Sequence, residues 1–137
     1  MRKRATLLRK VENRITRKPG DVFLTREFMD LGGEDQVLRA LRTCVKQARL
    51  VRLGYGVYGR AVKSRLSGEP VLYSANGFNG AARQALTKLG VDWEPTESER
   101  AYNAGTSTQI PVNPVVRVKS RFSRQLRYQD MALVVAR

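Results

Sequence analysis

Histidine is absent from this 137-residue chain, and cysteine occurs once, as Cys44. A disulfide framework is therefore excluded, as are zinc sites built from Cys and His clusters. With no imidazole to activate it and apolar neighbours around it, Cys44 reads as a buried small hydrophobe rather than a nucleophile. No apolar run approaches the roughly 20 residues that cross a bilayer. The chain has no internal repeat, no low-complexity tract and no phosphate-binding loop. The opening Met1-Arg2-Lys3-Arg4 has the charge of a signal-peptide n-region, but Arg9 and Lys10 break the stretch that would have to be apolar. The expectation is a cytoplasmic protein that is not an enzyme and uses neither cofactor nor metal.

Acidic residues are the other shortage. Twelve Asp and Glu stand against 26 Lys and Arg, for a formal net charge of +14 and a pI near 10.9. A chain this basic is built to meet a polyanion. The charge is uneven: residues 1–68 hold 17 basic and 6 acidic side chains, residues 69–137 hold 9 and 6. An apolar fraction of 42% is enough for a real core.

What is present falls into an ordered series. Thr6 to Lys18 reads as a helix with Leu7, Leu8, Val11 and Ile15 as its apolar stripe, ended by Pro19-Gly20. Val22-Phe23-Leu24 reads as a single β-bridge, and Thr25 caps a second helix over Arg26 to Leu31. After Gly32-Gly33, residues 34–48 form a third helix, with Glu34 and Asp35 at its positive end. Its core face is Val37, Leu38, Leu41, Val45 and Ala48. Its opposite face carries Gln36, Arg39, Arg42, Thr43 and Lys46. Leu50 to Arg60 reads as a hairpin with positive φ angles at Gly54, Tyr55, Gly56 and Gly59.

Three helices followed by a basic hairpin is the order of a winged helix-turn-helix. The fold class expected is thus α+β: an N-terminal winged helix-turn-helix over 1–62 and a small C-terminal α/β domain over 69–137, joined by a polar linker. In such a frame Gln36 and Arg39 meet bases, because Arg binds guanine and Gln binds adenine in bidentate fashion. Thr43 and Lys46 meet phosphates, and Arg52 and Arg60 hold phosphates on either side of the wing. Tyr55 at the tip either enters a minor groove or packs on the helix. Arg2, Lys3 and Arg4 either follow the minor groove or add only non-specific attraction.

The second half reads as a strand at Val71–Ser74, a helix capped by Asn79 and ended at Gly90, and a short helix over Glu97–Ala104. Val115–Lys119 and Arg124–Tyr128 read as a strand pair, and Met131–Val135 as a last strand. Alternation of Val116 and Val118 with Arg117 and Lys119 makes one sheet face basic, and Arg121, Arg124 and Arg127 extend it. That face is the candidate surface for RNA or an acidic partner protein. Asp92, Glu94, Glu97 and Glu99 form an acidic cluster around Pro95, read as a helix start rather than a catalytic pair.

Two stretches carry a family resemblance. One is Gly20-Asp21-Val22-Phe23-Leu24-Thr25-Arg26-Glu27-Phe28-Met29-Asp30-Leu31-Gly32, with Ala40-Leu41 and Val51-Arg52-Leu53-Gly54-Tyr55-Gly56-Val57-Tyr58 after it. The other is Ala101-Tyr102-Asn103-Ala104-Gly105-Thr106-Ser107-Thr108-Gln109-Ile110-Pro111. From about Arg9 to Tyr128 the chain resembles the small relatives of the AbiEi antitoxins of type IV toxin–antitoxin systems. The resemblance implies a winged helix that binds its own operator in double-stranded DNA, and a second domain that counters a nucleotidyltransferase-like toxin. By position it implies a DNA-reading face of Gln36, Arg39, Arg42, Thr43 and Lys46. It places Asn103, Ser107, Thr108 and Gln109 in the shared second-domain motif. A palindromic operator would call for a homodimer.

Overall fold

The computed structural model describes residues 6–74, 77–97, 114–119 and 121–136. Arg2, Lys3 and Arg4, the 101–111 motif and nearly all of the expected helix at Glu97–Ala104 lie outside them.

Helix α1 (Leu7–Arg17) starts at Thr6, whose hydroxyl accepts from Arg9 N–H at 3.2 Å. It ends at Lys18, which is extended, as the residue before Pro19 must be. Strand β1 (Val22–Leu24) follows, a three-residue strand rather than a single bridge. A one-sided strand would alternate, but all three residues of β1 are buried. A 3-10 helix, η1 (Thr25–Leu31), and helix α2 (Glu34–Lys46) complete the first layer. Helix α2 is shorter than its apolar stripe implies. Ala48 is not on it: at φ 60° it takes the left-handed position just beyond the helix, and Arg49 N–H closes the end on Cys44 O at 2.9 Å.

Strands β2 (Leu50–Gly54) and β3 (Val57–Lys63) form the hairpin, and β1 pairs antiparallel with β3, giving the order β1-β3-β2. Only Gly56 of the hairpin glycines has a positive φ, at 67°. Gly54 is needed for room instead, since a Cβ there would lie 2.5 Å from the backbone oxygen of Gln125, whereas at Gly59 the nearest atom is a side-chain end, Leu72 Cδ1.

The sheet is covered on both faces, which explains the uninterrupted burial of β1. Val22, Leu24, Val51, Leu53, Val57 and Ala61 point one way; Phe23, Leu50 and Tyr58 point the other. The second set packs with Val11, Ile15, Phe28, Val37, Ala40, Leu41 and Cys44 under α1, η1 and α2. The first set packs with helix α3 (Gly77–Lys88) through Phe78, Ala81, Ala82, Ala85 and Leu86, and with Val116 and Leu126. Helix α3 begins two residues before Asn79, so that residue lies within it. Strand β4 (Pro70–Leu72) joins the far end of β3.

The remaining strands are short: β5 (Trp93–Pro95), β6 (Val115–Val118), β7 (Arg127–Tyr128), β8 (Met131–Ala132) and β9 (Val134–Ala136). Val115–Lys119 does not pair with Arg124–Tyr128 as expected. Instead β6 lies between β5, antiparallel, and β9, parallel, while β7 pairs with β8. Glu94 and Pro95 sit in a strand, not at a helix start. Met131 and Leu133 pack on the core around α3, and Val134 is exposed. Among the described residues no helix is long and apolar enough to cross a membrane.

Candidate nucleic-acid interface

At 100° per residue, the core side of α2 is set by Val37, Ala40, Leu41 and Cys44, all buried. The opposite crest is then Asp35, Arg39, Arg42 and Lys46, and all four are exposed. Gln36 is also exposed but falls toward one flank, with Thr43 beside it. The Thr43 hydroxyl donates to Arg39 O at 3.0 Å, so it is engaged by its own helix. Leu38 and Val45 fall toward the other flank. The sequence pattern places them in the core, but they are only half-buried, because among the described residues that flank borders a groove.

That flank faces the hairpin. Arg52 is exposed on β2, on the sheet face shared with Tyr58, and its Nε donates to Gly54 O at 3.3 Å. Tyr55 projects from the turn with 79% of its surface exposed, so it does not pack on α2. Between α2, η1 and the turn lies a groove of about 690 Å³. Arg26, Arg42, Lys46 and Arg52 line it together with Arg124. Sequence reasoning put Arg124 on the other basic surface. The 121–126 segment instead crosses β2 at Gly54, and Arg124 donates to Tyr55 O at 3.5 Å. Nothing local in the sequence marks that crossing.

Arg60 has a different place from the one its position in the hairpin implied. Its guanidinium donates to Lys18 O at 2.9 Å and Gly20 O at 3.0 Å, faces Asp21 at 3.7 Å, and lies 5.1 Å from the centre of the Phe23 ring. It fastens the link between α1 and β1 to the sheet.

Most acids of the first half are engaged away from the α2 cations. Glu12 pairs with Arg49 at 3.0 Å, and Asp30 takes both ends of the Arg14 guanidinium. That pairing holds the Asp30 carboxyl below, and the Arg14 guanidinium above, its ordinary value. Glu27 is bound by Lys18, by Lys88 at 2.9 Å and by Leu24 N–H at 2.6 Å. Burial alone would raise its carboxyl, but the two ammonium groups and the amide outweigh burial and hold it low. Four of the six acids in residues 1–68 are thus paired with cations outside α2. Only Glu34 and Asp35 remain near it, in the first turn where they suit the helix dipole. Arg39, Arg42, Lys46 and Arg52 form no ion pair among the described residues.

The other basic residues do not gather in the same way. Arg117, Lys119, Arg121 and Arg127 are exposed, but Glu94 stands opposite Arg117 in the β5–β6 register. Cys44 is fully buried, and burial pushes its thiol up to about 11.

The model of a family of unknown function, DUF6088, matches residues 10–129. No curated protein and no solved structure matches the chain.

Proposed function

We propose that this chain, which belongs to the DUF6088 family, is a sequence-specific DNA-binding repressor built on a winged helix. Helix α2 enters the major groove and presents Arg39 and Arg42 to base edges, with Gln36 beside them. The β2–β3 turn is the wing, with Tyr55 at its tip and Arg52 and Arg124 over the adjacent backbone. The observation that carries this reading is the row of exposed cations Arg39, Arg42 and Lys46 on the α2 crest, which form no ion pair among the described residues and share the crest with one acid, Asp35, in the first turn. The other four acids of residues 1–68 are paired with cations outside α2, and the next cations, Arg52 and Arg124, sit across a groove from the crest.

The resemblance to AbiEi-like antitoxins makes the chain's own operon the first operator to test, with a nucleotidyltransferase-like toxin as the partner of the second half. A two-fold operator would be bound by two copies. Arg39→Ala with Arg42→Ala costs about 2–6 kcal/mol of specific affinity if both read bases. The same double variant keeps its thermal unfolding midpoint, because both side chains are exposed and form no ion pair among the described residues. With about four phosphates neutralised, affinity falls roughly 150-fold between 50 and 200 mM salt. An unchanged operator affinity in the double variant removes α2 from the reading. The rival, RNA or an acidic protein on the strand face, is tested by Arg117→Glu with Lys119→Glu, which spares duplex binding under the DNA reading.

A further inference from the structure

The groove between α2 and the β2–β3 turn is more apolar than a duplex requires. A phosphate backbone uses the cations on its rim, Arg42, Lys46, Arg52 and Arg124, but gains nothing from the aliphatic floor of Met29, Leu38 and Val45. Met29 is 36% exposed, and the other two are half-buried on the flank of α2 between its buried core face and its exposed crest. A single carboxylate, Glu34, stands among the lining residues. Thr25 also lines the groove, and its hydroxyl oxygen is buried with no hydrogen-bond partner among the described residues. Apolar walls, a few convergent polar groups and a volume of about 690 Å³ are the attributes of a small-molecule site, which spans roughly 300–1,000 Å³.

We infer that this groove binds a small organic acid, an aromatic or acyl body bearing one anionic head, with the body on Met29, Leu38 and Val45 and the head among Arg42, Lys46 and Arg52. All three cations belong to the proposed DNA surface, so acid and duplex exclude each other and the acid releases the operator. The release rests on the DNA reading; the binding site does not. Exclusion is reciprocal: each ligand weakens the other by the same factor.

The test uses 8-anilinonaphthalene-1-sulfonate, an aromatic body with one sulfonate, titrated into the full chain and followed by fluorescence. Saturable binding of one molecule per chain is expected. Met29→Glu, at an exposed position that leaves folding intact, weakens it by about tenfold or more by setting a like charge against the sulfonate. Arg52→Ala weakens it as well, and N-phenyl-1-naphthylamine, the same body without the sulfonate, binds less tightly. Arg39→Ala, on the crest outside the groove, leaves it within about twofold. Non-saturable binding, equal binding of the uncharged analogue, or binding unaffected by both groove variants overturns the site. In a second arm, fluorescence anisotropy of a labelled duplex is read as the sulfonate is added. An apparent Kd that rises with groove occupancy supports exclusion, and a ternary complex overturns it. If the chain binds no duplex at all, the DNA reading and the release fall, while the first arm still decides the site.

Discussion

Replacing Gly54 by alanine tests the packing that brings Arg124 to the hairpin turn. A Cβ at Gly54 would lie 2.5 Å from Gln125 O and 3.0 Å from Leu126 Cδ2. The first of these is backbone and cannot rotate away. Leu126 is 1% exposed, inside the core around α3, so the segment is held from both sides. Room for a methyl group comes only from moving that segment off β2. Overpacking of this kind costs about 1–3 kcal/mol. One term opposes it: the φ of Gly54 is not in the left-handed region, so alanine stiffens the unfolded chain at no backbone cost and returns about 0.4–1 kcal/mol. The net expectation is a loss of about 1–2 kcal/mol, read as a lower urea midpoint with an unchanged m-value. Hydrogen exchange locates the damage. The amide of Leu133 donates to Leu126 O at 2.9 Å and should lose protection before the amides of α2 do. A variant as stable as the parent, or more so, would refute the seating of the 121–126 segment on β2.

Other outcomes follow from the same structure. Ala48→Gly, at the left-handed position after α2, raises stability by about 0.5–1 kcal/mol in urea unfolding, since only glycine takes that conformation without strain; a destabilised variant contradicts the helix end described. Glu27→Gln breaks the tie between α1, η1 and α3 and costs about 1–3 kcal/mol near neutral pH. The Glu27 carboxyl is lowered in the folded state, so its stabilisation is complete above the ordinary value of 4.5 and is lost as pH falls from there through the lowered folded value. The stability difference between parent and Glu27→Gln, measured by denaturation from pH 7 down to pH 3, therefore shrinks with acid; a constant difference contradicts the linkage. The Cys44 thiol, buried and raised to about 11, resists iodoacetamide at pH 8 until the chain is unfolded in urea; prompt native labelling contradicts its burial.

Local periodicity made the first half of the fold legible. The stripe of Leu7, Leu8, Val11 and Ile15 and the stop at Pro19-Gly20 place α1 to within a residue at each end, Thr6 proving to be its cap and not its first residue. Val37, Leu41 and the acids at 34 and 35 place the start of α2. Its end is misplaced by the pattern, because Ala48 continues the helical spacing while taking a turn conformation. Leu38 and Val45 belong to the same stripe as Leu41, and only the neighbouring elements decide that they line a groove instead of a core. Arg60 shows a similar limit: its ties to Asp21, Lys18 and Gly20 span about forty residues, and its spacing in the hairpin is that of a free cation. Alternation in Val115–Val118 identified a strand but not its partners. A strand paired on both edges has the same alternation whether its neighbour is β7 or, as found, β5 and β9. The residues of the α2 crest, Arg39, Arg42 and Lys46, were readable because exposure on an amphipathic helix is a local property. Arg124 was readable as a cation and not as a neighbour of Tyr55, since the contact depends on a chain crossing.

The most direct measurement is fluorescence anisotropy with a labelled duplex from upstream of the chain's own gene, competed by scrambled duplex and by structured RNA. A specific repressor is displaced by the cognate duplex far more readily than by the other two, and its binding is lost in the Arg39→Ala, Arg42→Ala double variant. Equal displacement by all three polyanions, or an undiminished signal from the double variant, would contradict a sequence-reading role for α2.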